Sequence, residues 1–167
     1  MPDPQPTRPP LPPGAVVIGP SDGHVVNVGG FDVRVLAEQR DTAGAFSLIE
    51  TREAAAGGGP PLHIHRDCAE SFVVLDGRYA MHLESGEFDC PAGSFVYVPR
   101  GMVHTFRVLE PHSRKLNLYT PAGMVGYFAE LAAGIEAGMS EAELDALAQR
   151  YSMEVVGPIP EGYLGRE

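Results

Sequence analysis

Four residues of this chain could hold a metal ion between them: His63, His65, Glu70 and His104. His63 and His65 are two apart. In an extended strand such residues point to one face, so both imidazoles enter the same space. Glu70 opens the next strand-like run, near enough to return to that space. His104 begins another strand after the turn Pro99-Arg100-Gly101. Three imidazoles and a carboxylate make an N₃O donor set for one divalent transition metal ion. Fe, Mn, Co, Ni, Cu and Zn all accept such a set, and affinity order alone does not choose among them. Positions left open in a five- or six-coordinate geometry are what a catalytic metal needs. Glu70 has a second use as a general base toward a bound hydroxyl. His24, His82 and His112 show no ligand spacing and read as ordinary core or surface residues. Cys68, inside the His65–Glu70 loop, and Cys90 read as free thiols that are not ligands.

Short strands must carry these side chains. Apolar and β-branched runs recur at 16–18, 24–28, 31–35, 45–51, 62–65, 71–75, 78–83, 94–98, 103–109 and 115–119. Turn residues separate them, among them Asp76-Gly77, Ser85-Gly86 and Pro91-Ala92-Gly93. This spacing predicts a sandwich or small barrel. Side-chain parity then suggests what lines a cavity: Phe72 and Val74 share a face with Glu70, and Phe106 and Val108 share one with His104. Phe46, Tyr97, Met102 and Leu118 are further substrate-binding candidates whose facing the sequence does not fix. Residues 124–135 place Val125, Phe128, Leu131, Ala132 and Ile135 at helical spacing. Ser140 and Glu143 form a capping box that opens a second helix over 141–150. A tail with Pro158 and Pro160 follows from 155.

Composition narrows the function classes. The 167 residues carry a formal charge of −10, which disfavours nucleic acid and anionic lipid as partners. No apolar run approaches the length that spans a bilayer. Residues 1–13 hold seven prolines and no apolar stretch, so they read as an extended arm and not as a secretory signal. A cytoplasmic location is therefore expected. Three parts emerge: the arm (1–13), a β domain (14–120), and C-terminal helices with a tail (121–167). Residues 130–167 hold eight acids and two bases, the pattern of a solvated helical appendage.

Residues 57–77 resemble the first cupin motif: Gly57, five residues, His63-x-His65, four residues, Glu70, six residues, Gly77. Residues 93–104 resemble the second: Gly93, five residues, Pro99-x-Gly101, two residues, His104. The motif continues through three residues to an Asn, where this chain has Val108. The resemblance implies an all-β fold, a small jelly-roll (cupin) β-barrel with a C-terminal helical appendage, with the metal inside. It also implies His63, His65, Glu70 and His104 as ligands and a homodimer. The stretches Pro60-Pro61-Leu62-His63-Ile64-His65 and 91–101, with Thr120-Pro121-Ala122-Gly123 ahead of a helix, are similar to single-domain bacterial cupins akin to quercetin 2,3-dioxygenases.

That resemblance implies a metal-dependent, quercetinase-like dioxygenase acting with O₂ on an enol- or phenol-bearing aromatic or polyketide-like molecule. Two alternatives stay open. One is a non-oxidative isomerase, cyclase, dehydratase or decarboxylase using the same metal. The other is a non-catalytic cupin that binds a small molecule, since one fold hosts many functions.

Overall fold

A computed structural model describes residues 13–158. Nearly all of the proline-rich arm and the end of the tail lie outside the described residues. Within them the chain forms β1 (His24–Val28), β2 (Phe31–Ala37), β3 (Ser47–Glu53), β4 (Leu62–His65), β5 (Ala69–Asp76) and β6 (Arg78–Leu83). Then follow β7 (Gly86–Pro91), β8 (Phe95–Val98), β9 (His104–Val108) and β10 (Ser113–Thr120). Helices α1 (Val125–Glu136) and α2 (Glu141–Arg150) precede β11 (Met153–Gly157).

The strands build two antiparallel sheets. One runs β1-β2-β3-β10-β5-β8 and the other β11-β4-β9-β6-β7. Phe72, Val74 and Val98 from the first meet Tyr79, Met81 and Val108 from the second in a shared core. Fully burying a side chain such as Phe72 stabilises by ~1.5–3 kcal/mol, so a few such pairs hold the sheets face to face. This is the all-β jelly roll expected from the sequence. A second cluster joins Val33, Val35 and Ile49 to Met124, Ala148 and Met153, with Phe128, Leu131 and Ala132 packed against it. The two helices thus seal one region of the sandwich. Helix α2 starts where the capping box puts it: Ser140 accepts from the Glu143 amide, and Glu143 accepts from the Ser140 amide at 2.8 Å.

Two glycines are fixed by their surroundings. Gly77 has φ +71°, and a Cβ there would lie 2.1 Å from Ser113 Oγ. Gly59 has an ordinary φ, but a Cβ would stand 2.0 Å from the Phe106 carbonyl oxygen. The 57–59 loop lies that close because it pairs with β9. The Gly57 amide donates to the Val108 carbonyl at 2.8 Å, and the Val108 amide donates to the Gly58 carbonyl at 2.9 Å.

Three elements depart from the sequence reading. Residues 16–18 are not a strand; they stand exposed beside a turn that Arg34 holds through the Gly19 and Asp22 carbonyls. Strand β7 lies between the turns Ser85-Gly86 and Pro91-Ala92-Gly93, where the sequence predicts no strand. Strand β11 replaces the start of the tail and pairs with β4, Val155 lying opposite His63. The C-terminal segment therefore completes a sheet and is more than an appendage.

Candidate metal centre

Contacts made by the strands and the turns beside them place the three histidines. Strand β4 pairs with β9 at His63 and His104. Thr105 Oγ1 donates to the Pro60 carbonyl at 2.6 Å, anchoring the approach to β4. The Gly101 amide donates to the His65 carbonyl at 2.9 Å, tying the 99–101 turn to the same strand. Glu70 comes from the facing sheet, where β5 lies between β10 and β8.

All four are buried, and their potential ligand atoms lie within 4.8 Å of one another. Ring centroids are 4.3 Å apart for His63 and His104, and 5.0 Å for His63 and His65. The Nδ1 of His63 donates to the Pro61 carbonyl at 2.8 Å, and that of His104 to the Met102 carbonyl at 3.0 Å. Each bond uses a carbonyl two residues back and assigns the ring proton to Nδ1, leaving Nε2 for the centre. Glu70 Oε2 lies 3.0 Å from Nε2 of both His65 and His104. The His104 Nδ1 already donates, so its Nε2 and a carboxylate oxygen can face each other at this distance only with a cation between them, proton or metal. The buried Nδ1 of His65 has no hydrogen-bond partner. This donor set fits a single divalent metal ion.

Electrostatics agree with that reading. Burial, then the charges of His104 and His65, push the His63 imidazole from 6.5 down to about 3. It stays a neutral lone-pair donor at any physiological pH. Burial by itself would push the Glu70 carboxyl up, but hydrogen bonds from His104 and His65 outweigh it and hold the group well below the usual carboxylate range. Burial drives the Cys68 thiol up to about 12, with Glu70 and Asp67 adding to it, so it is a poor thiolate source. Both cysteines are free and buried, and neither joins the cluster; nor do His24, His82 and His112.

The other candidates separate into two groups. Phe72, Val74, Phe106 and Val108 are on the inward faces, and Met102 packs against the same core. Phe72 stands edge-on to His104 at 6.4 Å and to Phe106 at 6.1 Å. Phe46 is half-buried immediately before β3. Tyr97 and Leu118 are not in the interior. Tyr97 is 57% exposed and pairs with Ser71, whose neighbours Glu70 and Phe72 point inward, so the Tyr97 ring faces out. Leu118 also sits opposite Ser71, between the inward residues Asn117 and Tyr119, and faces out with it. A surface groove of about 510 Å³ beside α1, lined by Val35, Arg40, Gly126 and Tyr151, includes none of the four cluster residues.

Three inward residues of β10 escaped sequence reasoning. Asn117 Nδ2 donates to Glu70 Oε1 at 2.7 Å. Tyr119 packs edge-on against His65 at 5.7 Å; burial first, then the Glu70 charge, holds its hydroxyl well above the ordinary phenol range. Lys115 Nζ donates to Thr51 Oγ1 at 2.7 Å and Glu53 Oε1 at 2.6 Å, 3.9 Å from the centre of the Phe106 ring. Tyr79 donates to the other oxygen of Glu53. The signal available was the alternation Lys115-x-Asn117-x-Tyr119 with leucines at 116 and 118.

Comparison with known proteins matches residues 51–113 to the cupin domain. Quercetin 2,3-dioxygenase of Bacillus subtilis is 30% identical over 93 residues, 56% of this chain and 27% of that protein. The chain thus spans about a quarter of the length of that curated relative. Three solved structures share the fold at low identity. KdgF from Halomonas sp. has TM-score 0.58 at 18% identity, covering 64% of this chain and 94% of that one. Streptomyces Pac13 with uridine has TM-score 0.57 at 13% identity, covering 88% and 94%; Pac13 is described as a nucleoside dehydratase. The polyketide cyclase RemF from Streptomyces resistomycificus has TM-score 0.52 at 22% identity, covering 64% and 79%. The segment that carries His63, His65, Glu70 and His104 matches the cupin domain, and through it the chain resembles quercetin 2,3-dioxygenase.

Proposed function

We propose that the chain is a metal-dependent enzyme of the quercetinase-like dioxygenase type, with an enol- or phenol-bearing aromatic or polyketide-like molecule as substrate and O₂ as co-substrate. The observation that carries this reading is Glu70. It is a buried, ionised carboxylate with one oxygen 3.0 Å from the imidazoles of His65 and His104 and the other held by Asn117. His63, His65, Glu70 and His104 hold one divalent ion, which when bound supplies Lewis acidity to a substrate oxygen. Glu70 accepts the substrate hydroxyl proton: the O–H bond breaks heterolytically, and its electron pair stays on oxygen as an enolate or phenolate. Phe72 and Phe106 keep the surroundings apolar, which strengthens every charge interaction inside. The relationship to a quercetin 2,3-dioxygenase supports the oxidative choice. The free thiols of Cys68 and Cys90 suit a reducing, cytoplasmic setting.

Oxygen uptake with a panel of flavonols and β-dicarbonyls, on protein loaded in turn with Fe, Mn, Co, Ni, Cu or Zn, tests the proposal. His63→Ala or His104→Ala is expected to cost most of the metal affinity while leaving the fold intact. Glu70→Gln is expected to keep part of the metal and lose base-dependent turnover. Wild-type affinity in His104→Ala overturns the ligand set. No uptake with any metal overturns the dioxygenase.

The second reading is a non-oxidative lyase, isomerase or cyclase at the same centre. The shared fold with a nucleoside dehydratase and a polyketide cyclase favours it. Turnover that persists without oxygen in the Zn form selects it.

A further inference from the structure

We infer that Asn117 is a positioning residue that aims Glu70 at the metal centre, an inference that rests on the metal reading above. Glu70 reaches the centre from β5, on a side chain with three rotatable bonds. Nothing in its own strand fixes which oxygen faces the imidazoles. Strand β10 lies beside β5 with Asn117 opposite Phe72 and Tyr119 opposite Glu70. From there the Asn117 amide donates to Oε1 at 2.7 Å. With Oε1 held, Oε2 is the oxygen that meets His65 and His104, both at 3.0 Å. The amide has only one workable orientation, because reversing it would set its own oxygen against the carboxylate.

Neighbouring inward positions on β10 have other principal partners. Lys115 directs its ammonium to Thr51, Glu53 and the Phe106 ring. Tyr119 packs on the His65 ring and also shares a hydrogen bond with Glu70, so Asn117 works beside it. Hydrogen-bond partners one step out from a metal orient its ligands, and their loss typically costs 10–100-fold in affinity.

A double-mutant cycle tests the assignment with Co²⁺ as probe, read by competition binding and by the visible Co²⁺ spectrum. Asn117→Leu is expected to weaken Co²⁺ binding 10–100-fold and to shift that spectrum. In the Glu70→Ala background the same change is expected to leave Co²⁺ affinity unchanged, because nothing remains to position. Equal losses in both backgrounds, or no loss in either, overturn the inference.

A second measurement keeps the inference separate from the metal reading. In metal-free protein, NMR is expected to show the Asn117 side-chain amide protons shifted and protected from exchange. Glu70→Ala is expected to abolish both effects. A solvent-like Asn117 amide in wild type overturns the positioning role, whereas failure of wild type to bind Co²⁺ overturns the metal centre.

Discussion

At the scale of single residues the cluster was legible because its members are rare types at fixed spacing. Asn117 and Lys115 were not, because alternation is ordinarily read with the apolar residues inward. In β10 the leucines at 116 and 118 face out, while Lys115, Asn117 and Tyr119 face a polar interior. That interior has measurable consequences. Unfolding frees His63 to take a proton near its ordinary 6.5, while in the fold it resists until about 3. Between those values the unfolded chain binds more protons, so stability falls as pH falls through the window. One such proton contributes ~1.4 kcal/mol per pH unit. Denaturant titrations of the metal-free protein from pH 7 to 4 are expected to show this slope, made shallower by one proton in His63→Gln. An unchanged slope in that variant refutes the buried neutral imidazole. Lys115 and Glu53 form a pair that is costly to break by halves. Lys115→Met strands the Glu53 carboxylate and is expected to cost ~3–5 kcal/mol in urea denaturation. Adding Glu53→Gln is expected to restore part of that loss.

At the scale of elements, what the sequence showed depended on each strand's place in its sheet. The central strands β4, β9 and β6 were visible as apolar runs. The two missed strands, β7 and β11, are the edges of that same sheet. An edge strand needs few inward apolar residues: β7 buries Cys90 alone, and β11 buries Met153 alone. Residues 16–18 erred the other way, an apolar run with no strand. The loop ahead of β4 matters more than its glycine-rich sequence suggests. Gly59 lets it lie against β9, and β9 is what brings His104 beside His63. Gly59→Ala would force its Cβ onto the Phe106 carbonyl, 2.0 Å away, pushing the loop off β9. Metal affinity is therefore expected to drop although no ligand is changed. Calorimetric titration with Zn²⁺ reads this directly, and wild-type affinity would mean the pairing does not position the histidines.

At the scale of the whole molecule, one surface is out of keeping with the rest. The outer face of the six-stranded sheet carries Val73 and Leu75 on β5, and Phe95, 65% exposed, and Tyr97 on β8. Strand β8 is also an edge of that sheet. Contiguous exposed apolar residues of this kind mark an interaction surface. Charge indicates the occupant. The chain carries −10 overall, so two copies repel almost everywhere. On this face, however, Arg34, Arg52 and Arg114 surround the Glu50 carboxylate at 3.0, 3.1 and 3.6 Å, with Asp32 opposite Arg52. Three arginines there offset part of the acidic charge, and a two-fold axis would set the Phe95–Tyr97 edge of each copy against the other. If the homodimer expected from the family resemblance forms, this sheet is where it is expected. Light scattering on the eluting protein is expected to give twice the 17.8 kDa of one chain. Phe95→Glu with Tyr97→Glu is expected to halve the mass while leaving metal affinity unchanged, because both side chains point away from the interior. A wild-type mass of one chain at micromolar concentration removes the dimer; a dimer that survives both substitutions moves it to another face.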